Sequence, residues 1–251
     1  MEKRITGEKV RIDENSVHSF FDNRQNKKLP HRYNYVNYQD SNPELVLERD
    51  KIEKERVGKY FPVGADDFIL DIGCGVGRWG DLIIPLLKKG RYVGVDYTQY
   101  FIDIAKEQFA GNAQSVFLQG LFQDIELILK KSGEYRKYSR ILVNGVLMYI
   151  NDSSVEGCFN AVDNLLEEGG ILYIRETAGM KERLTLQNFY SEDLTADYTV
   201  IYRSLHEYSG WLSKYFLSGG EYALIACGPT WDDAVDYMKQ TSNWFWVLQK
   251  K

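Results

Sequence analysis

The chain has 251 residues, 44% hydrophobic and 27% charged, with 36 acidic against 31 basic side chains and a net charge of −5. Those proportions exclude a largely disordered, collagenous or membrane-embedded chain. The acidic surplus removes the broad basic field that drives non-specific nucleic-acid binding, so nucleic acid is disfavoured as a partner.

Residues 1–60 read as an N-terminal arm and lid helix. Residues 1–40 are polar with scattered aromatics, Phe20, Phe21, Tyr33, Tyr35 and Tyr38 among them, and suit either a loose leader or a lid. Asn42-Pro43 then opens a helix, asparagine at the cap and proline at the first helical position, with Leu45, Ile52 and Val57 along it. From Asp67 the pattern alternates. Strands are expected at Phe68–Ile72, 92–96, Ser115–Gln119, 140–146 and 171–175, with helices between them. Pro85 should shorten or kink the helix at 79–87. Ser153 with Glu156 spells a capping box, and Gly169-Gly170 a helix stop.

Repeated strand–helix units imply a doubly wound α/β fold, a mostly parallel sheet covered on both faces. Residues 177–200 read as a polar, irregular insertion. A second capping box, Ser204 with Glu207, opens a further helix. Segments 221–226 and 244–248 then form an antiparallel hairpin at the sheet edge, bringing the sheet to seven strands. Residues 61–251 make the main domain, with 177–217 as its decoration.

Cys74, Cys158 and Cys227 are far apart, which gives neither a disulfide framework nor a metal site. Reduced thiols fit the cytoplasm. The start of the chain shows no secretory core, and the longest apolar run, 141–150, is too short to span a bilayer.

The strongest motif is Asp71-Ile72-Gly73-Cys74-Gly75-Val76-Gly77, a strand running through glycines into a helix. Glycines let a ligand lie against bare backbone. The dinucleotide fingerprint would need a glycine at 78, where Arg78 stands, so a nicotinamide oxidoreductase is disfavoured. Asp71 before the loop repels a pyrophosphate and attracts a cation. Asp96 ends the second strand, where a carboxylate accepts ribose hydroxyls, and Tyr97 can lie against an adenine face.

With these residues the chain resembles the class I S-adenosylmethionine-dependent methyltransferases, Rossmann-like and of the bacterial stand-alone small-molecule type. The likeness covers 65–176 by motif and 201–250 by pattern. It implies S-adenosylmethionine as cofactor, held by Asp71, Gly73, Cys74 and Gly75 at the methionine end and by Asp96 at the ribose. The third strand usually ends in a polar adenine partner; here Gln119, Gly120 and Leu121 stand in its place. Asn144 maps to the cofactor's amine through its carbonyl. Tyr38 in the arm is placed to reach the cofactor carboxylate. The Asn-Pro-Pro-Tyr tetrapeptide of many nucleic-acid amino-methyltransferases is missing, in agreement with the charge.

Acceptors in such enzymes lie over the ends of the fourth and fifth strands. Arg175, Arg203, Tyr202 and Tyr33 are the candidate acceptor ligands, arginine because its fork suits phosphate or carboxylate. Glu176, His206 and Tyr149 are the candidate catalytic groups. The implied activity is methyl transfer to an oxygen or nitrogen of a small polar or anionic metabolite, such as a sugar or sugar nucleotide. Methylation of a peptide or protein amine, and a non-catalytic cofactor-binding scaffold, are the alternatives.

Overall fold

Apolar runs without alternation form strands buried on both faces, and the central sheet is built from them. The computed structural model describes residues 3–37, 42–192, 194–232 and 240–251. The chain opens with β1 (Lys3–Thr6), α1 (Glu14–Asn23) and α2 (Pro43–Gly58). Then follow β2 (Phe68–Ile72), α3 (Gly80–Ile83), β3 (Arg91–Asp96), α4 (Gln99–Gln108), β4 (Ser115–Gln119), α5 (Ile125–Ser132), β5 (Tyr138–Asn144) and α6 (Asp152–Leu165). The last part contains β6 (Leu166–Gly179), β7 (Leu184–Ser191), β8 (Ala196–Tyr202), α7 (Leu205–Leu212), β9 (Tyr222–Pro229) and β10 (Thr241–Lys250).

The seven-stranded sheet has the order β4-β3-β2-β5-β6-β10-β9. The first five strands are parallel, while β10 runs antiparallel to both β6 and β9, as the edge hairpin requires. Strand order reverses between β2 and β5, where ligands bind in such sheets. Pairing of Ile72 with Val143 there sets the glycine loop beside the turn after β5.

Alternate residues face opposite sides. Leu70, Val93, Ile141 and Val143 pack with α5 and α6, while Ile69, Tyr92, Leu142 and Tyr173 pack with Val57, Ile83 and Ile102. Each such side chain contributes roughly 1.5–3 kcal/mol on burial.

The 177–200 stretch is not irregular. β6 runs on to Gly179, and β7 and β8 join β1 in a second, antiparallel sheet of order β1-β7-β8. The arm therefore contributes a strand to the insertion. Val17, Phe20 and Phe21 of α1 pack with Leu184, Leu186, Tyr198 and Val200 of this sheet, forming a roof over the carboxyl ends of the parallel strands.

Three local expectations are corrected. The helix foreseen at 79–87 is a single α-turn, α3, followed by a 3₁₀ turn over Ile84–Leu86 that contains Pro85. Helix α6 starts at Asp152 behind Asn151, so Ser153 and Glu156 form no box. The Asn151 side chain makes no cap because it pairs with the Ile12 backbone in both directions, at 2.9 and 3.1 Å. That helix ends at Leu165, and Gly169-Gly170 falls inside β6. The Ser204–Glu207 box is present at α7.

Candidate functional site

Gly73, Gly75 and Gly77 all adopt positive φ, at 76°, 52° and 77°. A Cβ on Gly73 would stand 2.1 Å from Val146 Cγ2, and one on Gly75 would stand 2.5 Å from Val36 Cγ1. Backbone and space thus both demand glycine. Gly73 and Cys74 donate to the Val95 carbonyl at 2.7 and 3.1 Å. The Asp96 carboxylate accepts from Gly75 N and Thr98 N, both at 2.9 Å, which ties the loop to the start of α4. A carboxylate has about four acceptor sites, so two remain for a ligand. Burial raises Asp96 to about 6 against the pull of those two amides.

A cavity of about 120 Å³ opens beside this loop. Its wall includes Gly73, Gly75, Asp96, Tyr97, Gly120, Leu121, Asn144 and Tyr149. The α1 side of the wall contains Phe21, one of the aromatics expected of a lid, and three residues that sequence reasoning missed, Glu14, Val17 and His18. Their spacing of i, i+3, i+4 and i+7 is the signal that would have found them. The His18 ring stacks on Tyr97 with centroids 4.5 Å apart, and the Tyr97 hydroxyl donates to the His18 carbonyl at 3.1 Å.

A second cavity, of about 510 Å³, shares Val36, Gly73, Asn144 and Gly145 with the first. One part of its wall is cationic and polar, with Arg49, Arg78, Arg175, Thr177 and Asn243 beside Trp231. The roof supplies an apolar part through Leu186, Phe189 and Leu194, together with Tyr198 and Tyr202. The Tyr149 and Tyr198 hydroxyls lie 2.5 Å apart, joining the wall of one cavity to that of the other. Asp71 and Cys74, expected at the cofactor, line this second cavity instead.

Beneath it lies a buried charge cluster that hydrophobic periodicity does not reveal, because the inner face of α2 is polar: Arg49, Asp50 and Glu53 are all buried. Glu53 takes the Tyr173 hydroxyl at 2.7 Å and Asn144 Nδ2 at 2.8 Å, and pairs with Arg78 at 2.9 Å and Arg175 at 3.5 Å. Burial alone would raise this carboxyl, but the two guanidiniums outweigh it and hold it at about 2. Asp71, buried with Tyr92 donating to Oδ2, is pushed up to about 7 by desolvation. Its Oδ1 has no hydrogen-bond partner among the described residues.

Several expected site residues stand elsewhere. His206 is exposed on α7 and lines neither cavity. Arg203 is wholly enclosed: it donates to the Leu147 and Ile150 carbonyls at 2.6 and 2.5 Å and to Asp152 at 2.8 Å, so it braces the turn after β5. Glu176, also enclosed, accepts the amides of Val146, Leu147 and Met148 at 2.9, 2.8 and 3.2 Å. Those three amides occupy its oxygens, so its carboxylate positions the turn after β5. Tyr33 donates to Asp81 and Gln119 is exposed, bonding the Tyr97 carbonyl; neither lines a cavity. Tyr38 lies outside the described residues. Among the described residues no group of side chains could hold a metal ion, and no helix is long and apolar enough to cross a membrane.

The family described as "Methyltransferase domain" matches residues 70–172, which contain the glycine loop and Asp96. Phosphoethanolamine N-methyltransferase 1 of Triticum aestivum is 26% identical over 166 residues, 63% of this chain and 31% of that protein. Malonyl-[acyl-carrier protein] O-methyltransferase of Halalkalibacterium halodurans is 26% identical over 140 residues, 56% of this chain and 47% of that one. This chain thus spans less than half the length of these curated relatives. The solved structure of Haemonchus contortus phosphoethanolamine N-methyltransferase 1, in complex with phosphoethanolamine and S-adenosylhomocysteine, superposes with a TM-score of 0.68 at 16% identity, over 95% of this chain and 49% of that one. Residues 70–172 thus match a methyltransferase domain, and the seven-stranded sheet has the Rossmann-like fold of the class I S-adenosylmethionine-dependent methyltransferases.

Proposed function

We propose that the chain binds S-adenosylmethionine in the first cavity and methylates an oxygen or nitrogen of a small polar or anionic metabolite held in the second. The observation that carries this reading is the meeting of the two cavities at Gly73, Asn144 and Gly145, at the switch point of the sheet. The residues present fit such a ligand. A Cβ would fill the glycine cradle, and Asp96 keeps acceptor capacity for ribose hydroxyls. When bound, the cofactor supplies an activated methyl group on a sulfonium.

The protein's task is alignment and dryness. Tyr97, Leu121 and Phe122 flank the base, while Val17, His18 and Phe21 of α1 exclude water from above. Arg175 and Tyr202 face the acceptor, and Tyr149 connects to the acceptor side through Tyr198. Such orientation is worth roughly 7–11 kcal/mol of barrier. The relatives' names include both an N- and an O-methyltransferase, so they do not choose the accepting atom.

Calorimetry tests the first half: S-adenosylhomocysteine should bind, and Asp96→Ala should weaken it strongly. An absence of binding would end the reading. Transfer of a labelled methyl group to any acceptor separates an enzyme from a cofactor-binding scaffold.

A further inference from the structure

We infer that the acceptor is a small carboxylic acid methylated on its own carboxylate, because the Arg175 guanidinium stands at the junction of the two cavities in a wall whose described residues include no histidine or glutamate. This rests on the methyltransferase reading above.

The position of Arg175 is the first argument. Its Nη1 lies 3.9 Å from where a Cβ on Gly145 would be, and Gly145 belongs to both cavities. An anion held by Arg175 is therefore held where the methyl group must cross. Arg175 is only 7% exposed. Nη1 donates to Asn243 Oδ1 at 2.7 Å and Nε stands 3.5 Å from Glu53, while Nη2 has no partner among the described residues. That open edge suits one oxyanion.

Elimination of the other acceptors is the second. A hydroxyl would have to lose its proton to a base. No histidine or glutamate is among the described residues lining the second cavity, the Tyr198 hydroxyl is shared with Tyr149, and burial pushes the Tyr202 hydroxyl up to about 12. Asp71, its one carboxylate there, is engaged by Tyr92 at one oxygen and enclosed at the other, and the Cys74 thiol donates to the Gly75 carbonyl. An ammonium would face the guanidiniums of Arg49 and Arg175, and like charge disfavours it. A carboxylate arrives already ionised and with the complementary charge. The apolar roof side chains Leu186, Phe189 and Leu194 then cover the body of the acid.

In the step, a carboxylate oxygen lone pair forms the new carbon–oxygen bond as the carbon–sulfur bond breaks. The bonding pair leaves with sulfur, which becomes a neutral thioether. One negative and one positive charge disappear, a neutral methyl ester results, and no proton is released.

The test uses methyl-labelled S-adenosylmethionine with benzoate, hexanoate, para-hydroxybenzoate and para-aminobenzoate, and with hexanol and hexylamine as matched non-acids. The acids should take the label, and mild alkali should release it as volatile methanol. Label that stays on a hydroxyl or amine after alkali overturns the inference, and so does a protein that binds S-adenosylhomocysteine but labels none of the acids. Failure to bind S-adenosylhomocysteine overturns the proposed function instead. Arg175→Lys keeps a charge beside Glu53 and removes the fork. It should lower kcat/KM for the labelled acid by about tenfold or more and abolish calorimetric binding of benzoate to the S-adenosylhomocysteine complex, while S-adenosylhomocysteine affinity stays unchanged. Unaltered benzoate binding in this variant would remove Arg175 from the acceptor site.

Discussion

Glu53 on α2 and Arg175 on β6 approach to 3.5 Å, so a helix outside the sheet and a strand within it share one fully enclosed charge. Arg78, just past the glycine loop, completes the group at 2.9 Å. The cluster fixes the guanidinium in the wall of the second cavity and the start of the helix after the glycine loop together.

Glu53→Gln keeps the shape and removes the charge, which leaves buried Arg175 without a carboxylate and Arg78 with Asp50 alone at 2.6 Å. Breaking such a pair costs about 3–5 kcal/mol, and urea unfolding should show a loss of that size. Since the folded-state value is held near 2, below the ordinary 4.5, the stabilisation is present above about pH 4.5 and is lost as pH falls toward 2. An unchanged urea midpoint would mean that the cluster is relaxed by water.

Asp71, Asp96 and Glu176 are shifted the other way, to about 7, 6 and 7, chiefly by burial. The folded protein holds protons there that the unfolded chain has released, so stability of the free protein falls as pH rises from about 4 to about 7. Ribose recognition needs the ionised Asp96, so S-adenosylhomocysteine affinity should rise over the upper part of the same range. Thermal melts and calorimetry across this window should therefore slope in opposite directions, and Asp96→Asn should flatten the second. Parallel slopes would contradict the assignment.

At Gly75, alanine meets two obstacles. The left-handed backbone costs about 1–2 kcal/mol, and the new Cβ would stand 2.5 Å from Val36 Cγ1. Adding Val36→Ala should restore the second loss only. A double-mutant cycle in denaturant should therefore give a coupling of about 0.5–3 kcal/mol, whereas strict additivity would show that the loop simply moves away.

Arg203 and His206, three residues apart, should behave in contrasting ways. Arg203→Ala leaves the Leu147 and Ile150 carbonyls and the half-buried Asp152 without this donor and should cost about 3–5 kcal/mol of stability, with the acceptor KM of the remaining folded protein unchanged. His206→Ala should stay within about 0.5 kcal/mol of wild type with unaltered kcat. A large rate loss in the histidine variant would place it back in catalysis.

What the sequence disclosed follows from which features are local. Parallel strands announce themselves as apolar runs, and the turn of Gly73, Gly75 and Gly77 needs conformations that few other residues accept, so sheet and cofactor loop were both legible. β7 and β8 were not. Asn188 turns to positive φ where their register shifts between Leu186 and Phe189, which breaks the alternation a strand normally shows. Arg203 and Glu176 have the chemistry of an anion clamp and a base. Only tertiary packing shows that backbone carbonyls and amides already occupy them. The inner face of α2 escaped because its burial is satisfied by ion pairs, a pattern that resembles a solvated surface in one dimension.

The joining of β1 to β7 carries a kinetic corollary. Through α1 and the β1-β7-β8 sheet, a single cover closes both compartments. Whatever displaces that cover for one guest alters admission of the other, and by linkage each guest must change its companion's affinity by the same factor. Donor and acceptor should accordingly load in sequence, with intersecting rather than parallel double-reciprocal plots.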